Sequence, residues 1–449
     1  MRTIFAIVTC LFLNTAVAQN QQAAFLYFNK GEIEFRIGNF DKAINSFSKS
    51  IEFYQSASTF IYRARVFTQM SKYEQALQDL NAAIEIDSNC EMGYVERGRL
   101  KELLCDYEGA LSDLNKSINL DNSGLDPYYA HFSRGRIYAE QKLNELALLD
   151  FNKSIELHPT LEFAYVERGR LKDKMGNDEE ALEDFEQCLQ LNSFNLYALN
   201  SKASLLYDLK RYEEAIEPVS RAIQMYPDSN IFYFQRGDIY IAMKKYREAE
   251  DDINFGLFKD SGNDKGWRIK GVLYREMKKY DESITYFNKA IEINGSATGY
   301  YELAITYGES GDYQKAIELL TYIIELEQQS IYFSARGTYY SKSNHQKKAL
   351  LDFDSAIELD STNAIAWDER SYTLLKLQRN DEALVSVSKS ISINPESANA
   401  YKNLSLIEYS LGKKQKAIEA AQKAIELNYR SEEDDEFNFL ISVLELKPK

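Results

Sequence analysis

Histidine and cysteine are scarce in this chain. Its 449 residues hold three histidines and four cysteines. His131, His158 and His345 are far apart, and none stands at the spacing of a metal-ligand set. No phosphate-cradling loop of the G-x-x-x-x-G-K-[S/T] or strand-linked G-x-G-x-x-G kind is present. These absences leave no catalytic residue, no metal ligand and no cofactor to name, so the expectation is a non-enzyme. Basic charge is also in deficit: 53 Lys and Arg stand against 69 Asp and Glu, a formal net charge of −16. An acidic surface disfavours nucleic acid and anionic lipid as partners and favours solubility.

Long apolar runs are confined to the N-terminus. Arg2 precedes Ile4–Leu13, and Ala16-Val17-Ala18 supplies a small-x-small site before Gln19. Residues 1–18 therefore read as a secretory signal peptide, too short for a spanning helix. A lipoprotein signal does not fit, because Cys10 lies inside the apolar run and follows Thr9. The expected location is periplasmic or extracellular, without membrane insertion. Cys90, Cys105 and Cys188 would remain, an odd number that argues against a disulfide framework.

What is abundant is periodic. Ala43, Ala76, Ala110, Ala147, Ala181, Ala215, Ala249, Ser283, Ala316, Ala349, Ala383 and Ala417 recur at steps of 33 or 34 residues, with one step of 37. Twelve residues before each stands another small residue, such as Gly31, Ala64, Gly98, Gly135, Gly169 and Gly237. Four residues after most of the alanines comes a larger apolar one: Phe47, Leu80, Leu114, Phe151, Phe185, Ile253, Phe287 and Phe353. An i, i+4 pair shares one helix face, and small residues let two helices approach closely. Each unit reads as helix, short turn, helix.

The order aromatic, small residue, alanine, phenylalanine resembles the tetratricopeptide repeat, a 34-residue unit. The closing proline survives only at Pro159, Pro227 and Pro395. The resemblance covers roughly residues 24–431. It implies an all-α, right-handed superhelical solenoid of about twelve helical hairpins, starting near residues 24, 57, 91, 128, 162, 196, 230, 264, 297, 330, 364 and 398. The array is placed at 19–431, with a capping helix and tail at 432–449. There Phe437, Leu440, Ile441 and Leu444 follow the acidic run Glu432–Glu436 at helical spacing.

The repeats also align with one another. Arg63, Arg97, Arg134, Arg168, Arg236, Arg336 and Arg370 share one position, and six of them are followed sixteen residues later by Asp79, Asp113, Asp150, Asp184, Asp252 or Asp352. The two sites lie at equal distances from the hairpin turn, which predicts an Arg–Asp bridge inside each of those six repeats. His131 stands where other repeats carry Trp or Tyr and reads as a packing residue. Irregularities fall at Asp121–Pro127, which holds the 37-residue step, at Pro218, where a kink is expected, and at the turn-rich 259–266. Repeats six to eight are the candidate bend, short of a domain boundary.

The family resemblance further implies that the second, fifth and ninth residues of each first helix line a ligand groove. Carried over, these positions give Phe25, Phe28, Tyr129, Phe132, Phe163, Tyr197 and Phe234, and a ladder of Arg65, Arg99, Arg136 and Arg170. From repeat eight onward they turn polar, as at Lys265, Arg268, Asp368 and Lys402. Guanidiniums beside aromatic rings suit an acidic peptide. The alternative is a ladder neutralised by its own helix: Arg99 has Glu96 and Glu102 within a turn, Arg136 has Glu140, Arg170 has Glu167 and Asp173, and Arg65 has none. The Lys and Asn pattern of the family's carboxylate clamp is missing. The expected function is an exported scaffold binding a protein or peptide, as a member of an envelope complex, with a glycan-binding module as the alternative.

Overall fold

The computed structural model describes residues 2–120, 127–429 and 434–446, with side chains from residue 18 onward. Among them are 25 α-helices and no strand. The chain divides into two compact units at Met225/Tyr226. In the first, consecutive helices pair as α1 (Arg2–Arg36) with α2 (Phe40–Phe53), and α3 (Ala57–Gln69) with α4 (Tyr73–Ile86). The pairs α5 (Glu91–Leu103) with α6 (Tyr107–Asn119) and α7 (Tyr128–Glu140) with α8 (Asn144–Leu157) follow. The unit ends with α9 (Glu162–Lys174) and α10 (Asp178–Leu191), then α11 (Leu196–Asp208) and α12 (Tyr212–Met225).

The second unit repeats the plan with α13 (Asn230–Ala242) and α14 (Tyr246–Lys259), α15 (Asp264–Glu276) and α16 (Tyr280–Ile293), and α17 (Ala297–Glu309) and α18 (Tyr313–Leu326). It continues with α19 (Ser330–Lys342) and α20 (Gln346–Leu359), α21 (Ala364–Lys376) and α22 (Asn380–Ile393), and α23 (Ala398–Ser410) and α24 (Lys414–Glu426). A short α25 (Asp435–Val443) follows. Within each unit, first helices also touch the next first helix, as α3–α5–α7 and α19–α21–α23 do, so they form one continuous face.

The hairpin turns explain why the first helices stop. All twelve close through one residue with positive φ, which lets the next amide reach back to the helix. Asn177 N–H, for example, donates to Lys172 C=O at 2.9 Å, just after Gly176 at φ +78°. Only Gly38, Gly176, Gly311 and Gly412 are glycines here; Ser71, Cys105, Lys142, Lys210, Lys244, Lys278, Asn344 and Gln378 take the same conformation. Replacing Lys244 by glycine is expected to raise stability by about 1 kcal/mol, measured as a shift in the urea midpoint.

The small residues do what their spacing suggests. A Cβ added at Gly31, Gly169, Gly237 or Gly337 would lie 2.7–2.8 Å from Phe47, Phe185, Ile253 or Phe353, the large residue of the partner helix. Those large side chains are fully buried. At Gly256 and Gly266 the intruding ring is Phe234.

All six predicted Arg–Asp bridges form, each as a two-armed contact. Arg63, Arg97, Arg134, Arg168, Arg236 and Arg336 meet their aspartates through Nε and Nη2 at 2.5–2.9 Å. The remaining arm reaches the second helix of the preceding repeat: Arg63 to Ser48, Arg97 to Asn81, Arg134 to Asn115, Arg168 to Asn152 and Arg336 to Thr321. Arg370, whose partner position is Ser386, contacts that hydroxyl and Asp354 instead, each at 2.7 Å. His131 is more than packing, because its Nδ1 lies 2.7 Å from Asp150 Oδ1.

α12 runs unbroken through the buried Pro218, and the division between the units falls at its end. Residues 121–126 and the first two residues of the acidic run, 432–433, lie outside the described residues. α25 buries Phe437, Leu440 and Ile441 against Ala417, Ala421 and Ala424 of α24. Cys188 is fully buried, and burial pushes its thiol up to about 12. Cys105 is exposed. A thiol reagent at pH 8 is therefore expected to label Cys105 quickly and Cys188 only on unfolding, as read by peptide mass mapping.

Candidate functional site

One cavity of about 680 Å³ opens in the first unit, built on α3, α5 and α7 with contributions from Phe35, Leu80 and Tyr107. Three of the four ladder arginines line it: Arg65, Arg99 and Arg136. Met92, Val95 and Tyr129 supply apolar surface, and Glu96, Glu102 and Glu140 supply opposite charge.

The arginines share their carboxylates across helices. Arg65 on α3 donates through Nε and Nη2 to Glu96 Oε1 on α5, at 3.0 and 2.8 Å, and lies 5.0 Å from the Tyr62 ring. Arg99 approaches the same Glu96 oxygen at 3.5 Å. Arg136 on α7 reaches Glu102 on α5 at 3.2 Å. The three guanidiniums line the cavity, and each is paired with a carboxylate. The pairing differs from the one read along single helices. Arg65 does have a partner, 31 residues on, and Arg136 takes Glu102 rather than Glu140. Arg99 and Arg136 remain 48% and 43% exposed, with one longer contact each. Burial pushes the Glu102 carboxyl above its ordinary range, with Arg136 and Arg99 pulling against it and Glu140 and Glu167 adding to it.

The other sequence candidates lie apart from this cavity. Arg170 is half-exposed, 4.0 Å from Glu167. Phe25, Phe163 and Tyr197 are exposed. Phe28 packs on Phe47 and Tyr62, and Phe132 packs on Phe151. Phe234 is a correction. It is 1% exposed, in a core with Ile253, Leu257 and Leu273, because Gly256 and Gly266 vacate the space its ring fills. It cannot touch a ligand.

Among the described residues no group of three His, Cys, Asp or Glu side chains is arranged to hold a metal ion. His158 stacks on Tyr128 at 4.4 Å, and His345 is exposed. No helix among the described residues is long and apolar enough to cross a membrane.

The sequence matches the tetratricopeptide repeat family at residues 26–56, 166–230, 265–296, 297–330 and 369–431, together half of the chain. Residues 105–195 also match anaphase-promoting complex subunit 5. No curated protein matches. Among solved structures, a tetratricopeptide repeat protein from Parabacteroides merdae is 20% identical with a TM-score of 0.50, over 55% of this chain and 98% of that one. The hetero-tetramer Cut9–Hcn1 of the APC/C is 13% identical with a TM-score of 0.48, over 92% of this chain and 95% of that one. With its glycine-and-phenylalanine contacts repeated hairpin after hairpin, the chain belongs to the tetratricopeptide repeat family.

Proposed function

We propose that this chain is an exported, non-catalytic scaffold that holds an acidic peptide or protein segment in the groove of its first unit. One observation carries the reading: three guanidiniums line a single cavity and share two carboxylates, Glu96 and Glu102. Arg99 and Arg136 keep donors for a bidentate carboxylate, while Met92 and Tyr129 give an apolar bed. Export rests on the Ile4–Leu13 run and the Ala16-Val17-Ala18 site. An exported array with this groove suits a place in an envelope complex.

The test is the binding of labelled acidic peptides to residues 19–449, beside the Arg65→Glu/Arg136→Glu double variant. The variant is expected to bind at least about tenfold more weakly, a loss of ~1.4 kcal/mol or more. Moderate salt is expected to weaken the wild type in the same direction. Equal binding by both proteins would remove the groove from the function. Salt-insensitive retention of a polysaccharide would favour the glycan reading, to which the exposed Phe163 and Tyr197 lend rings for stacking.

A further inference from the structure

The fourth residue of the repeat and the residue twenty-two places on meet in four of the hairpins. Lys49 lies over the Tyr27 ring at 5.5 Å, and Lys289 over the Trp267 ring at 4.5 Å. Phe255 meets Tyr233 at 4.5 Å between ring centroids, and Tyr322 meets Tyr300 at 5.1 Å. A ring or an ammonium thus covers the first aromatic of each pair. In the hairpin of α21 and α22 the same pair is Trp367 and Lys389. Here no contact closes the two side chains on each other. They line one open groove of about 540 Å³, together with Leu384, Val385, Ser388 and Ser392.

The indole of Trp367 is fixed in place. Its Nε1 donates to Ser361 C=O at 3.0 Å, and the Arg370 guanidinium 6.0 Å from its ring is itself tied to Asp354 and Ser386. Val385, on the same groove, is 67% exposed. Lys389 is exposed and lacks the partner that equivalent lysines have. Lys153 pairs with Glu156 at 2.8 Å and Lys423 with Glu426 at 3.5 Å, three residues on in each case. At that place α22 carries Ser392. Ser388 and Ser392 hydroxyls donate to carbonyls of their own helix. Among the described residues that line the groove, Lys389 alone is charged.

We propose that this groove receives an aromatic side chain of a partner protein with a carboxylate next to it, the ring against Trp367 and the carboxylate on Lys389. A ring is what Phe255 and Tyr322 place against the equivalent aromatics, and ring pairs gain beyond the area they bury. A carboxylate is what Glu156 and Glu426 supply to the equivalent lysines. On a chain of net charge −16, an ammonium without a counter-charge beside exposed apolar surface selects an acid-flanked segment. The groove lies in the second unit, so it is independent of the cavity that carries the proposed function.

The probes are three 19F-labelled peptides titrated by NMR: acetyl-Gly-Ser-Asp-Tyr-Gly-Ser-amide, a control with Leu for Tyr, and a control with Asn for Asp. The protein is the full chain carrying Arg65→Glu/Arg136→Glu, which takes the first-unit groove out of the reading. The Asp-Tyr peptide is expected to bind at least about threefold more tightly than the leucine control and about twofold more tightly than the asparagine control. Trp367→Leu is expected to erase the first preference. Lys389→Gln is expected to erase the second and keep the first. Ser392→Glu, which gives Lys389 an in-chain partner, is expected to do the same. Equal binding of the Asp-Tyr and leucine peptides would overturn the proposal. So would a tyrosine preference undiminished in Trp367→Leu, or an aspartate preference undiminished in Lys389→Gln and Ser392→Glu, each variant checked for folding by its thermal transition. Retention of an oligogalacturonate in place of the peptides, lost in Trp367→Leu, would give the groove to a glycan and overturn it as well.

Discussion

Asp184→Ala is expected to cost about 3 kcal/mol, concentrated in the repeat formed by α9 and α10. The carboxylate is buried and accepts from Arg168 Nε at 2.9 Å and Nη2 at 2.5 Å, with Lys172 Nζ 3.1 Å away. Its removal leaves a guanidinium that is 17% exposed without its counter-charge, the costly way to break such a pair. Removing both partners is milder: Arg168→Met/Asp184→Leu is expected to recover most of the loss. Because stability in a repeat array is close to a sum over neighbours, the readout is hydrogen exchange of α9 and α10 beside global urea unfolding. A single variant within ~0.5 kcal/mol of wild type would mean that the bridge is solvated and ornamental.

One of these bridges, Arg134 with Asp150, sets an acid limit. Burial alone would raise Asp150, but hydrogen bonds from Arg134 and His131 outweigh it and hold the carboxyl below its ordinary value. A depressed carboxylate contributes stability that is present above its unfolded value of about 4 and is lost as pH falls through the folded one. Acid unfolding of the repeat of α7 and α8 is therefore expected below about pH 4, with little change from this group between neutral pH and that point.

The reach of the sequence follows from which contacts repeat. The Arg–Asp bridges were readable because both partners recur at a fixed sixteen-residue offset, so every repeat restates the same geometry. The close approach of Gly169 to Phe185 was readable for the same reason. Contacts between repeats were not. Arg65 looked unpartnered when only its own helix was searched, yet Glu96 lies 31 residues on. The third arm of five of these arginines, to Ser48, Asn81, Asn115, Asn152 or Thr321, escaped because those residues vary in type while sharing a position. The turns were half hidden as well: eight of twelve left-handed turn residues are not glycine, since a helix end can impose that conformation at about 1 kcal/mol. The sequence draws no boundary at the end of α12, and the division lies away from the irregular 259–266 segment, because no local residue pattern marks Met225.

Phe234→Ala is expected to destabilise the second unit by about 3–5 kcal/mol. Helical position alone assigned this ring to the ligand groove. Two glycines decide otherwise. A Cβ at Gly256 would lie 2.5 Å from Phe234 Cε1, and one at Gly266 would lie 2.4 Å from Cζ. The ring therefore occupies the volume that two side chains fill in other repeats, and α13, α14 and α15 close on it together with Ile253, Leu257 and Leu273. The converse variants carry the same argument with opposite sign. Gly256→Ala or Gly266→Ala overfills the site and is expected to cost about 1–3 kcal/mol, while Phe234→Leu combined with Gly256→Ala is expected to be milder than either change alone. Equilibrium unfolding in urea measures all four. A groove residue behaves differently: truncating it weakens binding and leaves the unfolding midpoint in place. If Phe234→Ala left that midpoint unmoved, the ring would belong to the ligand surface and the two glycines would need another reason to be small.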